Sequence, residues 1–262
     1  MNLDEFIKKV KDKKGLRSLS DKFVLKIVKE YIEVNKLQQL DKKSLRQLVK
    51  KVRAKLHEIH GAFLSVKFSK VKKLLGKLDN INDIATHKAL LRLHKSTKER
   101  LQYYSQIYDK IFGVTNKPKS LLDLGCGLNP FSLPFMKFMP DMYYAVDLKK
   151  SDIELINEYF RKVKIKGKAR VMDLTKEDIV LPQVNVCFMF KLLDSLESVK
   201  FNVTKTLFKK IKAGWIVVSF ATTSLGGKKR IKERGWFEKY ITNLEYEKFS
   251  VPNEVFYIIK KH

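Results

Sequence analysis

The sequence predicts an α/β fold: a mostly parallel sheet of seven strands with helices on both faces, preceded by an all-helical basic domain. Three observations predict it. Residues 1 to 110 contain no strand-like run, only apolar residues at helical spacing. After Lys117-Pro118, apolar runs of strand length alternate with helical segments. Basic residues crowd the first part, where residues 1–110 hold 28 Lys+Arg against 12 Asp+Glu.

The helical part comes first. Phe23, Ile27 and Tyr31, and then Leu45, Leu48, Val52 and Leu56, recur every three or four positions. Such a repeat lays one apolar stripe along a helix. Gly15 is a stop signal, and Ser20 and Asp41 stand where helix N-caps are needed. Four to six helices are expected over residues 1–110. The strand candidates follow in residues 111–262: SLLDL, MYYAVDL, ARVMDL, VNVCFMF, GWIVVSF, LEYEKFSV and EVFYIIK. SDIELINEYFRKV and SVKFNVTKTLFKKI are the helices between them. The last two strands are separated only by the short VPNE stretch, which predicts an antiparallel hairpin at the sheet edge. This order is the architecture of the Rossmann-like methyltransferases.

Composition narrows the class. A chain of 262 residues with 44% hydrophobic residues can bury a sizeable core. Its 55 Lys+Arg against 28 Asp+Glu leave a net charge of +27, whose field attracts polyanions and makes RNA the expected partner. Cys126 and Cys187 are too few for a disulfide framework or a zinc cluster, so a reducing cytoplasmic setting without a metal is expected. The N-terminus MNLDEFIKKV lacks an apolar leader segment, and no run reaches the length of a membrane span.

The segment DLGCGLNPF ends the first strand. Gly125 and Gly127 permit positive φ and let a ligand approach the backbone. Asp147 ends the second strand, where a carboxylate can accept hydrogen bonds from both ribose hydroxyls. Asn129-Pro130 stands where a dinucleotide motif would carry its third glycine, so S-adenosylmethionine (SAM) is favoured over NAD. Asp173 closes the third strand candidate and can bond an adenine amino group, with Leu174 as the apolar neighbour.

The methyl acceptor is narrowed by what is missing. The tetrapeptide [DN]PP[YF] used for exocyclic amines is replaced by Phe190-Lys191-Leu192-Leu193-Asp194, and there is no Pro-Cys for thiol attack on a pyrimidine. Guanine N7 carries a free lone pair and needs no base. In A-form RNA it lies in a deep groove, so the target would be distorted or flipped. Trp236, Phe237 and Phe131 are candidates to stack on it.

The segment HKSTKERLQYYSQIYDKIFG resembles the H-x-S-T-x-E-R-L stretch of the 16S rRNA (guanine-N7) methyltransferases that confer aminoglycoside resistance. DLGCGLNPFSLPF, YYAVDL, MFKLLDSLE and SFATTSLGGK follow in that family's order, so the resemblance covers residues 85 to 262. It implies SAM-dependent methylation of a guanine N7 in the decoding-site helix of 16S rRNA, within the 30S subunit; a monomer is expected. It further implies that Arg100 meets the methionine carboxylate and that Gly125, Cys126, Gly127 and Asn129 line the methionine moiety. Asp147 and Leu148 would take the ribose, and Asp173 and Leu174 the adenine. Lys191, with Leu192, would face the cofactor–substrate junction, and Lys191 is the one catalytic candidate. The loop from Ser224 to Lys228 would close over the target base. Asp194 replaces a proline of the resistance enzymes. On charge alone, Lys42, Lys43, Arg46, Lys50, Lys51, Arg53 and Lys55 are the expected RNA contacts of the helical domain. A housekeeping RNA methyltransferase acting elsewhere, or a non-catalytic ribosome-binding protein, stays open as an alternative.

Overall fold

The computed structural model describes residues 3–13, 16–17, 19, 21–34, 42–60, 68–223 and 234–261. They form two compact units, Met1–Ser65 and Val66–His262.

In the first unit, helices α1 (Leu3–Lys11), α2 (Asp21–Val34) and α3 (Lys42–His60) bury one stripe each. Phe6 and Val10, Phe23 and Ile27, and Leu48, Val52 and Leu56 meet in its core. Tyr31 and Leu45, expected in the same stripes, stay half-buried at their margins. Arg46, Lys50 and Lys51 are exposed, as a polyanion contact requires. Arg53 corrects the expected set: its guanidinium donates to the carbonyls of Lys9 and Val10, capping the end of α1 instead of facing outward. The side chains of Lys42, Lys43 and Lys55 lie outside the described residues, as do Gly15, Ser20 and Asp41.

The second unit begins well before the expected boundary at residue 110. Helices α4 (Phe68–Lys77), α5 (Ile84–Leu91), α6 (Lys95–Arg100) and α7 (Tyr104–Thr115) belong to it. The reason is burial. Val71, Leu75, Leu90, Ile107 and Ile111 share one apolar cluster with Leu121 and Phe188 of the sheet.

Strands β1 (Ser120–Leu124), β2 (Met142–Asp147), β3 (Gly167–Val171), β4 (Val184–Phe190), β5 (Ala213–Ala221), β6 (Tyr246–Val251) and β7 (Glu254–Lys260) form one sheet in the order β3-β2-β1-β4-β5-β7-β6. All neighbouring pairs are parallel except β5–β7 and β7–β6. The hairpin at residues 252–253 is the one expected from VPNE. Strand β3 ends earlier than ARVMDL suggests, because Met172 to Leu174 turn out of the sheet.

Central strands are buried on both faces, so successive residues feed alternate cores. Phe188 and Phe190 pack with α7, whereas Cys187 and Met189 point to the face covered by α10 (Val203–Lys210) and α11 (Gly235–Tyr240). Helix α8 (Lys150–Lys162) covers β2 and β3 through Ile153, Ile156 and Phe160, and the single turn α9 (Leu193–Glu197) follows β4. The strand order reverses between β1 and β4, and a crevice outside the carboxyl ends at that point is the binding position of such sheets.

Candidate functional site

The glycine turn sits at this reversal. Gly125 and Gly127 take φ of +65° and +48°, a left-handed backbone that would strain any side chain. The Cys126 N–H donates to the Val146 carbonyl at 3.0 Å, so the turn is pinned to β2. Asn129 and Pro130 then open a short 3-10 helix (Asn129–Met136), where proline loses no needed donor. The Asn-Pro pair starts that helix where a third glycine was absent.

Asp147 links the turn to β2. Its Oδ2 accepts the Gly127 N–H at 2.9 Å and its Oδ1 the Lys149 N–H at 3.1 Å. Each oxygen keeps a further lone pair, and the residue is only partly covered. Burial pushes its pKa up, while the backbone donors pull it back. Leu148 follows, half-buried. Beyond β3, Asp173 is also half-buried and uses Oδ1 to accept from the Thr175 N–H and hydroxyl at 3.0 and 2.6 Å. Its Oδ2 accepts no bond among the described residues. Leu174 is buried beside Leu122, Val146 and Leu192. Leu192 lies so close to the turn that a Cβ on Gly125 would meet its methyl at 2.5 Å.

Arg100 is 3% exposed and enters from α6. Its Nε donates to both Glu254 oxygens at 3.1 and 3.0 Å, and its Nη1 donates to Asn129 Oδ1 at 3.0 Å. Burial, the largest single effect, would lower the guanidinium's pKa, but the charge and hydrogen bonds of Glu254 together with Tyr104 and Tyr108 raise it above the usual arginine value. Nη2 finds no partner among the described residues. Two expectations change here. Asn129 is a connector rather than a free lining group: its Nδ2 donates to Asp123 at 2.9 Å while its Oδ1 takes Arg100 and the Tyr104 hydroxyl. Lys191, in a left-handed conformation just after β4, gives its ammonium to Glu99 at 2.7 Å and Glu254 at 3.2 Å. An ammonium held between two carboxylates is a structural cation, not a free catalytic group.

The aromatic candidates divide as well. Phe131 and Phe237 are fully buried, so neither can stack on a base, whereas Trp236 is 43% exposed. Cys126 and Cys187 are buried, and burial pushes both thiols up, so neither serves as a nucleophile. His94 is buried; burial, with Arg100, Lys149 and Lys191 nearby, lowers it to about 3 and keeps it neutral. Asp194 pairs with Arg234 at 2.7 Å, so this carboxylate has a built-in counter-ion. Ser224 and Lys228 lie outside the described residues.

Sequence reasoning missed Glu254 and Asp123. Glu254 opens an apolar strand, and a lone acid amid EVFYIIK was the available signal. Asp123 stands in β1 on the face of Leu121, among residues that must be dry. It is 1% exposed and accepts at Oδ2 from Asn129 and from Tyr143 at 2.8 Å. Burial raises its pKa from 3.8 to about 6, only partly offset by those two donors and Arg100. Since the folded state holds this proton more tightly than the unfolded one, the proton favours folding at low pH and that advantage is lost as pH rises through the window. In Asp123→Asn the amide oxygen keeps both bonds without the charge. Relative to wild type the variant should gain up to about 3 kcal/mol between pH 4 and 6, read from urea midpoints. A pH-independent difference would contradict the burial assignment.

These residues fit an adenosine-containing sulfonium cofactor. A carboxylate with open lone pairs for the ribose diol ends β2, an acid with one unused oxygen and a leucine follow β3, and a fixed guanidinium stands near the turn. What is known of similar chains agrees with this fit. A family profile described as "Ribosomal RNA methyltransferase (FmrO)" matches residues 35–248. A 16S rRNA (guanine(1405)-N(7))-methyltransferase of Micromonospora echinospora is 30% identical over 230 residues, covering 81% of this chain and 82% of that one. The solved 16S rRNA methylase RmtB superposes with a TM-score of 0.77 at 26% identity, covering 100% and 99% of the two chains. RmtF, solved in complex with S-adenosyl-L-homocysteine, shares the fold with a TM-score of 0.81 at 24% identity over 100% of both chains. With the profile running from residue 35 in the helical unit through the cofactor strands, the chain belongs to the FmrO family of ribosomal RNA methyltransferases.

Proposed function

We propose that this chain transfers the methyl group of SAM to N7 of a guanine in the decoding-site helix of 16S rRNA, in the cytoplasm, working as a monomer on the 30S subunit. The observation that carries this reading is the Gly127–Asp147 link, which joins the turn after β1 to a partly open carboxylate at the end of β2. When bound, SAM supplies an electrophilic methyl group on a sulfonium. The chain's own residues bind and orient. Asp147 accepts from the ribose diol, and Leu148 flanks it. Asp173 and Leu174 hold the adenine, and Arg100 turns Nη2 toward the methionine carboxylate. Gly125 and Gly127 keep the backbone bare for close approach. Guanine N7 brings its own lone pair, so the enzyme has to place it in line rather than deprotonate it. The paired Lys191 and the buried Cys126 are consistent with a reaction that asks for no base.

The test is incubation with tritiated SAM and 30S subunits, protein-free rRNA or tRNA, with the modified nucleotide mapped by strand scission. Label at a guanine N7 in the decoding-site helix is expected. Label confined to tRNA, or none at all, would refute the reading.

The helical unit is proposed to hold the RNA. Reversing the charge of Lys50 and Lys51 should weaken 30S binding and flatten its salt dependence by about 0.9 in log–log slope for each duplex phosphate no longer neutralised, leaving SAM affinity unchanged. Equal 30S affinity in filter binding across salt concentrations would remove α3 from the interface.

A further inference from the structure

We propose that the catalytic unit carries a second RNA seat, a basic groove that takes a short single-stranded run of the substrate beside the methyl-transfer site. The inference rests on RNA being the substrate, not on which nucleotide is modified.

The groove has a volume of about 830 Å³, and α5 and α6 form one wall. Lys88, Arg92, Lys95 and Lys98 line it, and all four are exposed. Lys88 and Arg92 stand one turn apart at the end of α5, where His87, Leu90 and Leu91 are buried, and Lys95 and Lys98 stand one turn apart on α6. Among the described residues the side chains of Lys88, Arg92 and Lys98 make no hydrogen bond or ion pair. Like charges at i, i+4 repel, so the Lys88–Arg92 pair costs stability unless an anion meets it. The one carboxylate in the wall, Glu99, already lies 4.0 Å from Lys95 and 2.7 Å from Lys191, and so adds little repulsion toward a phosphate.

Two further features select a nucleic acid strand. Tyr103 and Phe135 also line the groove and are half-buried, offering ring surface beside the cations. Basic side chains interleaved with aromatics are how proteins hold single strands, phosphates on the former and bases on the latter. The opposite wall is the β6–β7 turn at Pro252 and Asn253. Glu254 pairs in register with Ala221 at the end of β5, so this turn stands at the carboxyl rim of the parallel strands, the rim that carries Asp147 and Gly127. A cavity of this size lies in the range of ligand pockets and suits a few nucleotides rather than a helix face. A guanine turned out of its stack leaves such a distorted stretch beside it. The charge supports the placement: residues 68–110, which belong to the unit of the sheet, hold 10 Lys+Arg against 4 Asp+Glu.

The test uses the full chain with Lys88→Glu/Arg92→Glu and, as a gentler control, Lys88→Gln/Arg92→Gln. Binding of a fluorescent single-stranded RNA oligomer and of 30S subunits is measured across salt concentrations, with SAM affinity and melting temperature alongside. The charge-reversed protein should bind both RNAs at least tenfold more weakly at low salt. Its slope for the oligomer should fall by about 0.7 for each phosphate no longer neutralised. The glutamine variant should fall between it and wild type, and SAM affinity should not change. Unchanged oligomer affinity and slope in both folded variants overturn the proposal. A weakening confined to 30S subunits overturns it too, because a ribosomal protein would then fill the groove. If wild type fails to methylate 16S rRNA while the oligomer slope still drops, the groove stands and the assigned nucleotide falls.

Discussion

Glu254→Ala is expected to destabilise the fold by about 3–5 kcal/mol, the range for removing one partner of a buried ion pair. The carboxylate is 1% exposed and accepts from both Arg100 and the Ser219 hydroxyl while facing Lys191. Lys191 would retain Glu99, but Arg100 would be left as a dry cation held only by the neutral oxygens of Asn129 and Tyr104. Glu254→Gln keeps the shape and one acceptor but not the charge, so it should recover only part of the stability. Pairing Glu254→Gln with Arg100→Met removes both charges and should be milder than Glu254→Ala. Urea midpoints at constant slope measure all three. If Glu254→Ala unfolds at the wild-type midpoint, the four-residue ion cluster contributes nothing. SAM affinity should fall in Glu254→Gln as well, because the guanidinium loses the partner that aims it.

Asp147→Ala is the larger effect on binding. Hydrogen bonds to a charged acceptor contribute about 1.5–3 kcal/mol, so SAM should bind about 10- to 150-fold more weakly. Two effects combine: the ribose acceptor disappears, and the N–H groups of Gly127 and Lys149 lose the carboxylate that fixes the turn. Asp147→Asn should not rescue much, since its amide would set an NH2 against one of those backbone donors. Calorimetric affinity equal to wild type would remove Asp147 from the cofactor site.

The strands were legible because each is a short apolar run, and their carboxyl ends located Gly125, Gly127, Asp147 and Asp173 without any knowledge of packing. Helical periodicity, by contrast, says that a face is buried but not against what. Residues 68 to 110 repeat as regularly as those before them, and only the apolar cluster they share with Leu121 and Phe188 assigns them to the sheet. Charge carries the same ambiguity. Arg53 and Lys50 look alike in sequence, yet one caps a helix and the other meets solvent. Long-range partners were invisible: Arg100 and Glu254 lie 154 positions apart. Phe131 and Phe237 were candidates for a base only until their burial was known.

The two outermost strands of the sheet, β3 and β6, carry Lys168 and Arg170 on one side and Glu247 and Lys248 on the other, all turned to water. Unsatisfied backbone along such borders would otherwise recruit further copies into a growing ribbon. Decorated with ions that resist dehydration, neither margin offers a template, so the protein can be concentrated on its target without polymerising edge to edge.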